Sequence, residues 1–325
     1  MEPKGIINLG NTCYINVCIQ ILYFTHEFTD IIRSANLDKN NKKYPIFQQW
    51  KDIHDIMHNS PPFSIIIPKL FMKHMAEYTQ DRSKFGDQQD SSEFLELFLD
   101  AFHVLLKRDV HINSVFHRDE KQIADSCNKW LSEYQKEYSE IAELFYGAYY
   151  SKITSVRNGN ILSIKPEMFF MLDLPVQTYN PDYYHQTIDE CIEALLRPER
   201  LEGENAWYNE DTKQKESIDK QICIWKFPTI LILLFKRFSF DGTKAKDTLI
   251  TFPQEGFRLK HSECSPYYDL YGVWNHYGNT EGGHYSAMIK NSKEWYHCND
   301  HLIEKIDPSK IMTEYAYCLF YRKRK

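Results

Sequence analysis

Apolar residues recur every three or four positions through most of the first 145 residues, and this is the spacing of amphipathic helices. The pattern predicts a helix that begins at Cys13, with Asn11 or Thr12 as its N-cap. Further helices are predicted over residues 45–57, 68–77, 91–107 and, as one element, 120–145.

The helix predicted over 91–107 carries one continuous apolar stripe that includes Phe94, Phe98 and Phe102. Asp90 or Ser91 is its candidate N-cap. Aromatic residues at this spacing pack into a core in an ordinary globular protein. We therefore interpret the stripe as core and not as part of a cofactor site.

After residue 147 the pattern changes to the short alternating runs of strands. Strands are predicted at 148–156, 167–176, 220–228, 229–240, 268–276, 282–290, 294–300 and 316–323, with a short helix at 188–196. The polar stretch 199–219 is predicted to be a long excursion or an extended hairpin. Helices in the first half and strands in the second predict the α+β class.

Composition excludes several classes of protein. The 325 residues are 42% hydrophobic and 15% aromatic, which argues against disorder. The formal charge of −6 lacks the basic excess that binding to a phosphate backbone requires, so no nucleic acid is expected as a partner. The longest apolar run, residues 230–235, is far too short to cross a membrane, and no membrane association is expected.

The eight cysteines include no CxxC pair, and no signal peptide precedes them. We interpret them as reduced thiols of an intracellular, cytoplasmic protein, with the nucleus not excluded. Cys18, Cys298 and Cys318 lie in apolar or strand contexts that favour the core.

Cys13 is either a core residue or a nucleophile, because free cysteine is among the most buried residue types. A nucleophile needs a base, a residue that orients the base, and donors for the oxyanion. His284 follows two glycines, and Asn299 or Asp300 at the end of the next strand could reach it. His276 is the alternative base, and Asn-Asp is also an ordinary turn pair.

Donors for the oxyanion are available as well. A helix that begins at Cys13 supplies its own backbone N–H, and its dipole favours a thiolate. Asn8, in the preceding turn, could add a side-chain amide, although a loop-capping role is the alternative.

Four stretches together resemble the ubiquitin-specific proteases, a family of cysteine deubiquitinases. "GIINLGNTCYINVCIQ" resembles the cysteine box of this family, and "YDLYGVWNHYGNTEGGHYSAMIKNSKEWYHCND" resembles its histidine box. Between them, "FGDQQDSSEFLELFLDAFH" is similar to the QQDAxEFL segment and "FPTILILLFKRFSF" to the PxxLxxxLKRF strand. The stretches occur in the family's order and cover nearly the whole chain.

The resemblance implies a role for each matching residue. Cys13 falls on the nucleophile, His284 on the general base, Asn299 on the third catalytic position and Asn8 on the oxyanion amide. Most members have Asp where Asn299 stands, and Asp300 follows as a possible helper or substitute. The departures at Ile15, Val17 and Cys18 remove no catalytic atom.

The resemblance also implies a channel for the extended, basic C-terminal tail of ubiquitin, which ends in two glycines. The residues expected to line it or to supply its acidic walls are Gln88, Gln89, Asp90, Glu93, Gly282, Gly283 and Tyr285, with Asp87 as a weaker acidic candidate.

The family fold is papain-like, with a helical thumb, a β-rich palm and β fingers. Here these would be about 1–145 for the thumb, 146–235 for the fingers with their linking strands, and 236–325 for the palm. Many members hold the fingers with zinc bound by two CxxC pairs, but the corresponding stretches are "RNGN" (157–160) and "NEDT" (209–212). Four thiolates are missing, so we expect no metal and no cofactor. Packing, strand pairing and the pair Trp207 and Tyr208 would then hold the fingers.

The resulting hypothesis is a deubiquitinase that hydrolyses the bond after the C-terminal glycine of ubiquitin through a thioester. Its partners would be ubiquitin and ubiquitinated proteins, and it would act as a monomer. The alternatives are a catalytically weak ubiquitin-binding module, a protease for another ubiquitin-like modifier, and a scaffold that docks through residues 107–143.

Overall fold

Helices dominate the first 145 residues and strands the remainder, as the α+β prediction requires. The computed structural model describes residues 2–37, 39–41, 44–62, 64–79, 87–112, 115–178, 180, 182–210, 212–238, 248–260, 265–279 and 282–325. Cys264 and residues 239–240 of the strand predicted at 229–240 lie outside the described residues.

The helices are α1 (Cys13–Tyr23), α2 (His26–Ser34), α3 (Tyr44–Asn59), α4 (Lys69–Thr79), α5 (Ser91–Leu106), α6 (Lys121–Tyr134), α7 (Glu140–Phe145) and α8 (Ile188–Leu196). Short 3₁₀ turns occupy Gln135–Glu137, Gly203–Asn205 and Pro308–Lys310. No helix in the described part of the chain has the length and apolar run that a membrane crossing needs.

The strands are β1 (Gly5–Ile6), β2 (Ile65–Ile66), β3 (Gly147–Ser155), β4 (Ile161–Phe169), β5 (Leu172–Pro175), β6 (Glu199–Leu201), β7 (Trp207–Asn209), β8 (Gln214–Glu216), β9 (Ile218–Lys226), β10 (Ile230–Lys236), β11 (Tyr268–Gly278), β12 (Gly283–Asn291), β13 (Glu294–Asn299), β14 (Leu302–Ile306) and β15 (Ala316–Lys323). Seven of them form a sheet in the order β14-β13-β12-β11-β15-β10-β5, and four form a second sheet, β4-β3-β9-β6. Two small pairs, β1-β2 and β7-β8, complete the set.

The prediction of one helix over 120–145 is wrong. The chain leaves helical geometry at Tyr138, whose backbone forms an isolated bridge with Arg108, and a new helix starts behind Ser139. The Ser139 hydroxyl accepts the N–H of Ala142 and so caps α7. Two amphipathic helices with compatible spacing therefore resembled one continuous element in the sequence.

The central strands of the seven-stranded sheet are buried on both faces. Along β11 and β15, neighbouring residues alternate between two cores, with Trp274 and Phe320 on one side and Val273 and Leu319 on the other. The first core also holds α1 to α5 and α7, and the second holds α8. The predicted aromatic stripe of α5 is confirmed as core, with Phe98 and Phe102 in edge-to-face contact at 4.8 Å between ring centroids.

Helix α1 packs directly against the middle of this sheet. The indole N–H of Trp274 in β11 donates to the carbonyl of Val17 at 3.1 Å. Gly272 permits this approach, since a Cβ there would lie 2.2 Å from the Ile21 side chain. The contact brings the start of α1 to the end of the sheet at which β12 begins.

Candidate active site

Cys13 is the first residue of α1 and is almost buried, with 5% of its surface exposed. Thr12 occupies the N-cap position, as one of the two predicted alternatives, but its side chain makes no cap hydrogen bond. Its hydroxyl accepts the N–H of Leu9 at 2.9 Å instead. The uncapped first turn of a helix is a favourable place for negative charge.

His284 lies near the start of β12 and contacts Asn299, the last residue of β13. The register Ala287↔Cys298 puts Asn299 opposite Ser286, so His284, two residues further along, lies diagonally across on the same face. His284 Nε2 is 2.6 Å from Asn299 Oδ1. Since Nε2 is used in this way, Nδ1 is the ring nitrogen available to a second partner.

That second partner is the thiol of Cys13. A hydrogen bond with Cys13 is the largest of the effects that raise the pKa of His284 to about 9. The hydrogen bond to Asn299 and the charge of Asp300 raise this pKa further, while burial of the ring opposes them. A protonated imidazole places a positive charge beside the sulfur of Cys13.

Asp300 does not contact His284 and instead holds the segments on either side of Cys13. Its carboxylate accepts from Asn8 Nδ2 at 3.0 Å and from Asn16 Nδ2 at 2.8 Å. Its backbone, at φ +50°, accepts the N–H of Ile6 at 2.9 Å. The two adjacent residues therefore have different partners. Asn299 is hydrogen-bonded to the imidazole of His284, and Asp300 accepts from the side-chain amides of Asn8 and Asn16.

The amide of Asn8 is fixed at both ends. Asn8 Oδ1 accepts the N–H groups of Gly10 and Thr12 at 3.0 and 3.1 Å, while Nδ2 donates to Asp300. These partners also settle which end of the amide is nitrogen. An amide nitrogen carries two hydrogens, so one is left to donate to another acceptor beside Cys13.

A narrow cavity of about 250 Å³ leads to Cys13. Of the seven residues predicted for the tail channel and its acidic walls, five line it: Gln88, Gln89, Asp90, Gly283 and Tyr285. Gly282 lies beside Gln88 but outside the lining, and Glu93 is exposed on α5. The cavity thus collects residues from α1, from the loop before α5 and from β11 and β12.

Gly283 is required in this wall because it has no side chain. A Cβ at Gly283 would lie 2.1 Å from His276 Nε2 and 2.8 Å from the carbonyl of Tyr277. The Gly283 N–H donates to Gln88 Oε1 at 2.7 Å and so joins the two sides of the cavity. His276 itself packs against the ring of Tyr285, at 4.6 Å between centroids, and the position beside Cys13 belongs to His284.

Asp90 has structural partners in addition to its place in the cavity wall. It caps α5 by accepting the N–H of Ser92 at 2.7 Å, and its other carboxylate oxygen accepts the hydroxyl of Tyr317. The other lining residues are His276, Asn11, which was named only as a candidate N-cap, and Tyr14, Phe238 and Asn279, to which the sequence patterns gave no role. Phe238 lies within the quoted "LLFKRFSF" stretch, which was the available signal.

A larger cavity of about 710 Å³ lies elsewhere, between the segment before α6, the edge of β9 and the end of α8. Cys13 is not among its lining residues. The smaller cavity is the candidate active site because it is lined by Cys13, the residue that is hydrogen-bonded to His284.

A family model described as "Ubiquitin carboxyl-terminal hydrolase" matches residues 4–321. The chain belongs to this family. Among curated relatives, Usp2 of Drosophila melanogaster is 27% identical over 98% of this chain and 34% of its own length. Human ubiquitin carboxyl-terminal hydrolase 2 is 28% identical over 98% of this chain and 54% of its own length.

The ubiquitin carboxyl-terminal hydrolase 2 of Gallus gallus is 30% identical, and the match covers 98% of this chain and 92% of the relative. The chain spans only about a third to a half of the first two relatives. The resemblance to ubiquitin-specific proteases is confirmed by these matches.

Solved structures confirm the fold of this ubiquitin carboxyl-terminal hydrolase family member. The SAGA DUB module Ubp8/Sgf11/Sus1/Sgf73 bound to monoubiquitin matches with a TM-score of 0.75 at 21% identity, over 99% of this chain and 69% of that chain. The same module bound to ubiquitin aldehyde matches with a TM-score of 0.74 at 20% identity, with the same coverage.

The donor set at the tip of the four-stranded sheet does not fit the zinc site of many family members. There, Glu216 accepts from the Ser155 hydroxyl at 2.5 Å and from Asn209 Nδ2 at 3.3 Å. Hydroxyl, amide and a single carboxylate replace the four thiolate or imidazole ligands of a structural zinc. Trp207 and Tyr208 lie in β7, which pairs with β8, and Tyr208 is 47% exposed.

Proposed function

We propose that this chain is a thiol-dependent deubiquitinase that hydrolyses the peptide or isopeptide bond after the C-terminal glycine of ubiquitin. One observation carries the proposal: in a member of this family, the Cys13 thiol lines a cavity and is hydrogen-bonded to His284, and His284 is hydrogen-bonded to Asn299. Nucleophile, base and orienting residue in this order serve acyl transfer to sulfur.

In the first half of the reaction, the Cys13 thiolate attacks the carbonyl carbon of the terminal glycine and forms a C–S bond. The N–H of Cys13 and the remaining hydrogen of Asn8 Nδ2 stabilise the oxyanion. The His284 imidazolium gives its proton to the departing lysine amine as the C–N bond breaks, which leaves a thioester.

In the second half, His284 takes a proton from water, and the hydroxide attacks the thioester carbonyl. The C–S bond breaks, ubiquitin leaves with a free carboxylate, and the proton held by His284 restores the imidazolium beside the thiolate. Asn299 keeps the ring oriented in both halves. No cofactor takes part in these steps.

The tail of ubiquitin would occupy the cavity lined by Gln88, Gln89, Asp90, Gly283 and Tyr285. A slot of about 250 Å³ suits a segment that ends in two glycines, since glycine needs the least room. Asp90 would attract the basic tail, and we assign Glu93 and Gly282 to the part of the tail outside this slot.

The remaining expectations are proposals of the same kind. The helices up to Phe145 support a thumb of about 1–145, the four-stranded sheet supports fingers of about 146–235, and strands β11 to β15 of the seven-stranded sheet support a palm of about 236–325. The seven described cysteines are free thiols, which supports an intracellular, cytoplasmic location. Ubiquitin and ubiquitinated proteins would be the partners of a monomer.

The test is hydrolysis of ubiquitin whose C-terminus is linked as an amide to a small fluorophore. Wild type should release the fluorophore, and Cys13→Ala should lower kcat/KM by about 10⁴-fold or more. Cys223→Ser, at a half-buried thiol far from the site, is the matched control and should keep the activity. If the wild-type protein binds ubiquitin but does not hydrolyse the substrate, the chain is a binding module. If it hydrolyses the reporter of another ubiquitin-like modifier faster, the proposal that ubiquitin is the substrate is contradicted.

A further inference from the structure

Four aliphatic side chains are exposed beside Asn8 and Asp300. Their exposed fractions are 42% for Leu9, 53% for Ile65, 62% for Ile67 and 53% for Leu302. We call this set the leaving-side patch. Single exposed hydrophobic residues are ordinary, but a group of them at one place on a surface is typical of an interaction site.

Backbone hydrogen bonds bring the three segments of the leaving-side patch together. Strand β1 lies in the middle, because it pairs with β2 on one side and meets the end of β13 on the other. The Ile7 N–H donates to the carbonyl of Ile66, and the Ile6 N–H donates to the carbonyl of Asp300, both at 2.9 Å.

The side chains of β2 alternate in a way that points two of the four outward. Ile66 is 4% exposed and belongs to the main core, so its neighbours Ile65 and Ile67 face away from that core. Gly5, which pairs with Ile65, has no side chain, and a Cβ there would lie 2.4 Å from the carbonyl of His301. No side chain of β1 therefore separates Ile65 from the segment that leads to Leu302.

Two of the three segments of the patch are uncharged, since residues 5–12 and 64–67 include no Asp, Glu, Lys or Arg. In the third segment, Asp300 is occupied by the amides of Asn8 and Asn16, Lys305 is paired with Glu294, and Glu304 is exposed. A surface of this kind favours an apolar partner over a charged one.

The position of the patch can be related to the two halves of the substrate, the acyl half and the amine half. Cys13 lines the tail cavity, whereas Asn8, His284, Asn299 and Asp300 are not among its lining residues. If the acyl half of the substrate fills that cavity, the amine half leaves on the other side of the sulfur. That side holds Asn8 and Asp300, and the leaving-side patch lies next to them.

We infer that the leaving-side patch docks an apolar surface of the protein that carries the acceptor lysine, and that this contact favours protein leaving groups over small ones. The inference rests on the proposed function. It adds a contact on the amine side of the bond and leaves the chemistry at Cys13 unchanged.

The experiment compares two kinds of substrate for the full chain. One is ubiquitin linked to a small fluorophore, and the others are pairs of ubiquitins joined through each lysine in turn. Leu302→Ser and Ile67→Ser should each lower kcat/KM by roughly fivefold on the preferred pairs and by less than about twofold on the fluorophore substrate. Val104→Ser, at an aliphatic position on α5 that is 43% exposed, is the control and should change neither rate.

Wild type should also cleave some of the linked pairs faster than others, and the double variant of Leu302 and Ile67 should reduce that difference. Equal losses on fluorophore and protein substrates, or no loss on any linked pair, would overturn the inference. A wild type that cleaves none of the substrates would instead overturn the proposed function, so the two failures are distinguishable. Activity on the fluorophore substrate also shows that each variant is folded.

Discussion

The side-chain amide of Asn8 donates a hydrogen bond to the carboxylate of Asp300 across 292 residues of sequence, at 3.0 Å between Asn8 Nδ2 and Asp300 Oδ2. The other oxygen of the same carboxylate accepts from Asn16 in the first turns of α1. Asp300 thereby ties together the loop before Cys13 and the helix that Cys13 begins. We therefore assign it to positioning of the oxyanion donor, while Asn299 serves the imidazole.

This assignment predicts which kinetic constant changes when either residue is replaced. Asn8→Ala should lower kcat on the fluorophore substrate by about 10²- to 10³-fold with little change in KM, because the oxyanion donor acts only in the transition state. Asp300→Asn should lower kcat in the same way by about 10- to 100-fold, since one of its two amide partners would face an NH₂ group.

The double variant Asn8→Ala, Asp300→Asn provides the check on positioning. Its loss should be clearly smaller than the product of the single losses, because Asp300 acts through Asn8. Asp119→Asn, at an exposed position, serves as the control. Fully multiplicative losses would show that Asp300 acts independently of Asn8.

Asn299 should set the alkaline limit of activity. The pKa of His284 is raised to about 9, so the imidazolium is present below about pH 9 and is lost as the pH rises through that value. Asn299→Ala removes a hydrogen bond that raises this pKa, and the alkaline limb of kcat/KM against pH should move to lower pH. An alkaline limb at the same pH in Asn299→Ala and in an Asn158→Ala control would contradict this account.

The stability of the tip of the four-stranded sheet should not depend on a metal ion, but it should depend on Glu216. Treatment with a zinc chelator should leave the melting temperature unchanged, because the residues at the tip do not fit a zinc site. Glu216→Ala removes the acceptor shared by Ser155 and Asn209 and should increase amide hydrogen exchange in β7 and β8. Glu210→Gln, at an exposed acidic position nearby, should not do so. A chelator-induced drop in melting temperature would refute this prediction.

Gly283 and Gly282 should respond very differently to alanine. A Cβ at Gly283 meets the His276 ring and a backbone carbonyl, so Gly283→Ala should destabilise the fold by about 1–3 kcal/mol and impair the cavity wall. A Cβ at Gly282 meets only the end of the Gln88 side chain, at 3.3 Å, which needs a shift of only a few tenths of an ångström. Thermal melts and kcat/KM of both variants test this contrast, and equal tolerance would contradict it.

Local sequence patterns predicted those helices and strands that have one apolar face and clear start and stop residues. Helix α8 has the bounds predicted for it, and its capping box, formed by Thr187 and Glu190, explains the clear start. The break at Tyr138 was missed, because it depends on a backbone bridge to Arg108, which is distant in sequence. Strand β14 was missed as well, since its exposed edge position gives it little apolar pattern.

The same limit applies to the site. Residue types and motif order singled out Cys13, His284, Asn299 and Asn8, because each chemical role needs a particular side chain. The sequence did not decide whether Asn299 or Asp300 contacts His284. Adjacent strand residues point to opposite faces, and only the strand register determines which of them meets His284. Long-range contacts, such as that of Asp300 with Asn8, have no local signature.

The most direct test of the central claim is covalent trapping by ubiquitin that carries a C-terminal electrophile, followed by mass spectrometry of the adduct. We predict one ubiquitin per chain on wild type, attached at Cys13, with no adduct on Cys13→Ala and an unchanged adduct on Cys223→Ser. An adduct at another cysteine, or undiminished labelling of Cys13→Ala, would contradict the assignment of Cys13 as the nucleophile.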